Sequence, residues 1–180
     1  MSKSAEGNTE FKLSAETLAA IDGYIQKYPT KASAIMPCIW AITDEVGYVP
    51  EGGVDLLVDK LEVTKARVYE VLSFYTMYRT EPQAENVLQV CRNISCHILG
   101  ARHIIAHMEK KLGVRLGETT PDGKFALEGA ECLGACGHGP VVQRGKHLYE
   151  FLTTEKVDDL LDNLRKGDVP RADTDRELEE

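Results

Sequence analysis

Four of the five cysteines fall in two close pairs, Cys91 with Cys96 and Cys132 with Cys136, in the pattern C-x4-C-x35-C-x3-C. Thiolates are soft ligands that suit iron. Each pair is close enough along the chain for both sulfurs to converge on one iron, so the two pairs supply the four ligands of a two-iron, two-sulfide cluster. Gly134, Ala135, Gly137 and Gly139 around the second pair leave the backbone uncovered, so amide N–H groups can approach sulfurs that carry negative charge. Hydrogen bonds of that kind tune a cluster's potential. A structural zinc site with four cysteine ligands accepts similar paired spacings, and the cysteines alone leave it open. His97 and His138 beside the pairs raise a mixed site of Rieske type, although four cysteines already fill the terminal positions. Two disulfides would need an oxidising compartment, and a thioredoxin-type redox pair would need C-x-x-C, which the chain lacks. Cys38, spaced with Ile35 and Ile42 on an apolar helix face, reads as a small core residue.

The elements that must position these cysteines are signalled locally. Leu18, Ile21, Ile25 and Tyr28 recur at helical spacing after Ser14, an N-cap type, and Pro29 stops that helix. Ile35, Ile39, Ile42 and Val46 predict a second helix, with Pro37 in its first turn, Ser33 as cap and Gly47 as stop. Val54, Leu57, Val58 and Leu61 predict a third, and Val68, Val71, Leu72 and Tyr75 a fourth that begins after Thr64. Tyr69, Tyr75 and Tyr78 read as packing on a helix surface. Beyond a polar connector the pattern changes. Val87 to Val90 is a short β-prone run ending at Cys91, and Leu99, Ile104, Ile105, Met108 and Leu112 form a helical stripe closed by Gly113. Strands are expected at Lys124 to Leu127, Val141 to Gln143 and His147 to Phe151, then a helix capped at Thr153 or Thr154 with Val157, Leu160, Leu161 and Leu164 on its inner face. The fold class is therefore α+β: a helical bundle over 11–80, then a β-α-β-β-β-α domain over 85–167. Residues 1–10 and the acidic tail 168–180, with six acids against two arginines, are expected to be disordered.

Composition narrows the function. Of 180 residues 21 are Lys or Arg and 29 are Asp or Glu, a formal charge of −8, so phosphate and anionic lipid surfaces repel the chain. No nucleic-acid partner is expected. No apolar run approaches the roughly 18 residues of a membrane span, and the first eleven residues lack a signal-peptide core, which predicts a protein of the reducing cytosol without direct membrane insertion. Val54 to Tyr75 can be read as a helix-turn-helix with Lys65 and Arg67 at its head, but Glu62 and Glu70 flank them and packing between short helices is the stronger reading. Neither the dinucleotide fingerprint nor the phosphate-cradling glycine loop occurs, and there is no nucleophile elbow. The residues read as a one-electron carrier with no complete active site of its own, against an alternative of a zinc-structural or redox-sensing DNA-binding regulator.

Three segments carry a resemblance. Cys91-Arg92-Asn93-Ile94-Ser95-Cys96, Gly117-Glu118-Thr119-Thr120-Pro121-Asp122-Gly123-Lys124-Phe125 and Glu131-Cys132-Leu133-Gly134-Ala135-Cys136 are similar to the small iron–sulfur subunit of respiratory NADH:quinone oxidoreductase, complex I. Ala34-Ile35-Met36-Pro37, Gly47-Tyr48-Val49-Pro50 and Val71-Leu72-Ser73-Phe74-Tyr75 extend it into the helical half, so it covers about Phe11 to Lys166. The resemblance implies that the second domain is thioredoxin-like and that one 2Fe-2S cluster sits on Cys91, Cys96, Cys132 and Cys136. It also implies a larger FMN- and NADH-binding partner subunit and a cytoplasmic place peripheral to the inner membrane through the assembled complex. NAD-linked hydrogenases and formate dehydrogenases use similar small subunits.

Overall fold

Ser14, Thr64 and Thr153 each accept a hydrogen bond from the backbone N–H three residues on, and each starts a helix. The computed structural model describes residues 11–172, which divide into two units between Gln83 and Ala84. The expected disorder at 1–10 lies outside the described residues.

The first unit is helical: α1 (Ala15–Lys27), a 3-10 turn (Lys31–Ala34), α2 (Ile35–Val46), α3 (Glu51–Leu61) and α4 (Lys65–Phe74). Ser33 does not cap α2. Thr30 accepts from the Ser33 N–H and starts the 3-10 turn, which runs straight into α2, and Pro37 stands in the first turn of α2, where proline is tolerated. Gly47 closes α2 at φ 87°, a conformation glycine adopts without a Cβ clash. Ile21, Ile39, Ile42, Val54, Leu57 and Val68 are fully buried against one another, each stabilising the unit by roughly 1.5–3 kcal/mol relative to exposure. Cys38 shares this core, and burial pushes its thiol up to about 11, so it stays protonated and inert. Tyr78 departs from the helix-surface reading: it lies beyond the end of α4 and is buried, its hydroxyl donating to the Met36 carbonyl at 3.4 Å.

The cations of the α3–α4 segment are already paired. Lys60 meets Asp22 at 2.6 Å, Lys65 meets Glu51 at 2.8 Å and Asp55 at 2.9 Å, and Arg67 meets Glu70 at 2.7 Å. A recognition helix draws affinity from cations that neutralise phosphates, and here each faces a carboxylate. No binding to duplex DNA is expected at physiological salt in either oxidation state, measured by fluorescence anisotropy. Salt-sensitive binding that disappears in Lys65→Ala/Arg67→Ala would contradict this.

The second unit comprises β1 (Asn86–Cys91), α5 (Ile94–Ile98), α6 (Ala101–Leu112), β2 (Phe125–Ala130), a 3-10 turn (Cys136–His138), β3 (Val142–Arg144), β4 (His147–Tyr149) and α7 (Thr154–Arg165). The sheet order is β2-β1-β3-β4, with β1 parallel to β2 and antiparallel to β3. Alternation along β1 places Leu88 and Val90 in one core with Phe125 and Leu127 of β2, Ile104 and Met108 of α6, and Val157, Leu160, Leu161 and Leu164 of α7. On the opposite face Gln89 donates to Glu128 at 3.0 Å. Residues 168–172 differ from the expected tail: Ala172 is buried and the Tyr149 hydroxyl donates to the Pro170 carbonyl at 3.2 Å. The rest of that tail lies outside the described residues.

Candidate metal centre

Parallel pairing in register brings the two cysteine loops to the same end of the sheet. The ladder runs from Asn86 opposite Phe125 to Cys91 opposite Ala130, so the chain leaves β1 at the first cysteine and leaves β2 two residues before Cys132. The Asn93 side chain accepts from the N–H of Ile94 as α5 begins, and this single short helix carries Cys96 back toward Cys91. The second loop turns at Gly134 (φ 79°), whose N–H donates to the Cys132 sulfur at 3.4 Å, and reaches Cys136 at the start of its 3-10 turn. Gly139 then passes the first pair closely: a Cβ there would stand 3.2 Å from the Cys96 sulfur and 3.0 Å from Leu99 Cδ1. A side chain at 139 would press on Cys96.

All four thiols interact, and none is in a disulfide. Burial raises the Cys91 thiol, but the backbone amides at Asn93 and Leu133 and the thiols of Cys96 and Cys132 outweigh it and favour the thiolate. Cys96 is pushed up to about 11, by burial first and then by the neighbouring Cys91, with Cys136 acting in the same direction and the Val141 amide against it. The Cys91 thiolate opposes ionisation of Cys96 beside it, a conflict that a cation between the two would relieve. Among the described residues no group of three or more His, Cys, Asp or Glu side chains is placed to hold a single metal ion. A two-iron cluster asks for only two thiolates at each iron, so the four-sulfur donor set fits it.

The pairs differ in exposure. Cys91 and Cys96 are buried with Ala101 and Val141, whereas Cys132 and Cys136 are exposed. Ile94, Ile98 and Leu99 beside the first pair and Phe151 beside the second are exposed apolar residues, between 52 and 76% accessible. His97 is exposed, and His138 lies 3.2 Å from the Glu150 carboxylate through Nδ1 with its ring against Phe151.

The sequence model of the thioredoxin-like [2Fe-2S] ferredoxins matches residues 21–165, across both units. The chain belongs to this family. Curated relatives agree over most of their length. The second E subunit of the NADH-quinone oxidoreductase of Rhizobium meliloti is 39% identical over 148 residues, covering 82% of this chain and 88% of the relative. The corresponding E subunit of Rickettsia bellii is 38% identical over 160 residues, covering 87% and 96%, and that of Aquifex aeolicus is 34% identical over 153 residues, covering 85% and 96%. Among solved structures, a chain of an NAD+-reducing [NiFe]-hydrogenase shares the fold at TM-score 0.61 and 14% identity, over 76% of this chain and 23% of that longer one. As a thioredoxin-like ferredoxin the protein has, among its described residues, no helix long and apolar enough to cross a membrane.

Sequence reasoning singles out the four cysteines but not the residues packed around them. Gly139 is expected only to expose a backbone amide, whereas its use is close approach to Cys96. Arg92 and Glu131 have no role in the sequence reading, although a cation directly after the first cysteine and an acid directly before the third is a legible signal.

Proposed function

We propose that this chain is an electron-transfer subunit of an NADH:quinone oxidoreductase, that Cys91, Cys96, Cys132 and Cys136 hold its one 2Fe-2S cluster, and that an FMN- and NADH-binding subunit is its partner. The observation that carries the reading is the gathering of four interacting thiols at one end of the sheet in a member of this ferredoxin family. When bound, the cluster supplies a one-electron couple. The protein's own residues do the rest. Burial of Cys91 and Cys96 keeps water from one side, backbone amides soften the negative charge on sulfur, and the exposed Cys132 and Cys136 leave the other side open to a docked donor. The sequence lacks a nucleotide motif, so hydride chemistry falls to the partner. Association with the cytoplasmic face of the inner membrane is indirect, through the assembled complex.

The test compares the chain alone with the chain co-expressed with the flavoprotein. Alone it is expected to be coloured by its cluster, to bind NADH weakly and to leave it unoxidised. Co-expressed, the two are expected to purify together and to reduce an artificial acceptor with NADH. Steady NADH oxidation by the lone chain would contradict the division of labour.

A further inference from the structure

The two cysteine loops carry opposite charges beside their first ligands, for Arg92 follows Cys91 and Glu131 precedes Cys132, and their side chains pair with each other. The arginine is held in place twice over. Its backbone N–H donates to the Ala130 carbonyl at 2.9 Å, and its side chain lies flat across Gly129, where a Cβ would stand 2.7 Å from Nε and 2.9 Å from Cδ. Only glycine leaves that path open. The pair contributes little as a strap, because the side chains are 44 and 87% exposed. It does set one charge of each sign a single residue along the chain from Cys91 and Cys132. We infer that Arg92 raises and Glu131 lowers the reduction potential of the centre, with Gly129 positioning the arginine. This rests on the proposal that the four cysteines hold a one-electron cluster.

Reduction adds one electron and therefore one negative charge. A neighbouring cation stabilises the reduced form and a neighbouring carboxylate destabilises it. Unit charges about 10 Å apart near a protein surface shift such an equilibrium by about three- to tenfold, and tenfold corresponds to about 59 mV for a one-electron couple.

The experiment is an anaerobic redox titration of the full chain, followed by the paramagnetic signal of the reduced state and by visible absorption. Arg92→Gln is expected to lower the reduced-to-oxidised ratio at fixed potential by about three- to tenfold, and Glu131→Gln to raise it by a similar factor. The double variant is expected to return near the parent. Arg92→Lys, which keeps the charge and loses the fork, should stay close to the parent, whereas a purely structural strap would make Lys as harmful as Gln. Gly129→Ala should displace the arginine and shift the ratio in the Arg92→Gln direction. All shifts should shrink at about 1 M salt. Coloured, loaded variants whose potentials are unchanged or move in the same direction overturn this inference and leave the cluster assignment standing. A parent chain that holds no iron and sulfide overturns both.

Discussion

Replacing Cys91 or Cys96 with Ser is expected to remove most of the bound iron and sulfide and, with it, the visible absorption of the purified chain. Loss of a supporting partner around a metal costs roughly 10- to 100-fold in affinity, and loss of a ligand should cost at least that. These two positions should suffer most because their sulfurs are buried, so a serine leaves an unfilled site that water cannot easily reach. Cys132→Ser and Cys136→Ser, at exposed positions, should retain a labile fraction, since a serine oxygen can stand in for sulfur where solvent screens the charge. Cys38→Ser should leave iron content unchanged because Cys38 lies in the core of the other unit. Full occupancy in two of the four ligand variants would remove the assignment.

The second large effect is on stability. Leu127 is fully buried in the middle of β2, pairs with Leu88 of β1, and anchors the strand that leads into Cys132. Leu127→Ala should destabilise the second unit by about 2–5 kcal/mol through lost transfer energy and the cavity left behind. That is a large share of a typical total of about 5–15 kcal/mol. Lys146→Ala, in the exposed turn between β3 and β4, should stay within about 0.5 kcal/mol. Denaturant unfolding followed by circular dichroism and cluster colour checks both. A Leu127→Ala midpoint equal to that of Lys146→Ala would mean that the β1–β2 core does not support the site.

Much of this architecture is written in short-range signals. Ser14, Thr64 and Thr153 announce helices because a cap is a contact between near neighbours, and Gly47 and Gly113 end α2 and α6 for the same reason. Helix α5 is not legible. Five residues are too few for periodicity, and Ile94 and Ile98 are exposed, so its apolar residues do not mark a core face. Leu99, expected on the inner stripe of the next helix, is 52% exposed at a helix end. Strand β2 runs on through Glu128, Gly129 and Ala130, residues of poor strand propensity, because the ladder with β1 holds them there. That extension matters most: it sets Ala130 opposite Cys91 and so fixes where the second cysteine loop begins. The spacing of the cysteines singles out four candidate ligands, but their meeting place depends on a parallel pairing across 39 residues, which no local pattern reveals.

The central claim, that these four cysteines hold an iron–sulfur cluster, is tested most directly by iron, zinc and acid-labile sulfide analysis of the anaerobically purified full chain, read together with the paramagnetic spectrum after reduction. The expected result is iron and sulfide in equal amounts, matching one 2Fe-2S cluster per chain, with a spin signal that appears only on reduction. Stoichiometric zinc, no sulfide and no signal would contradict it.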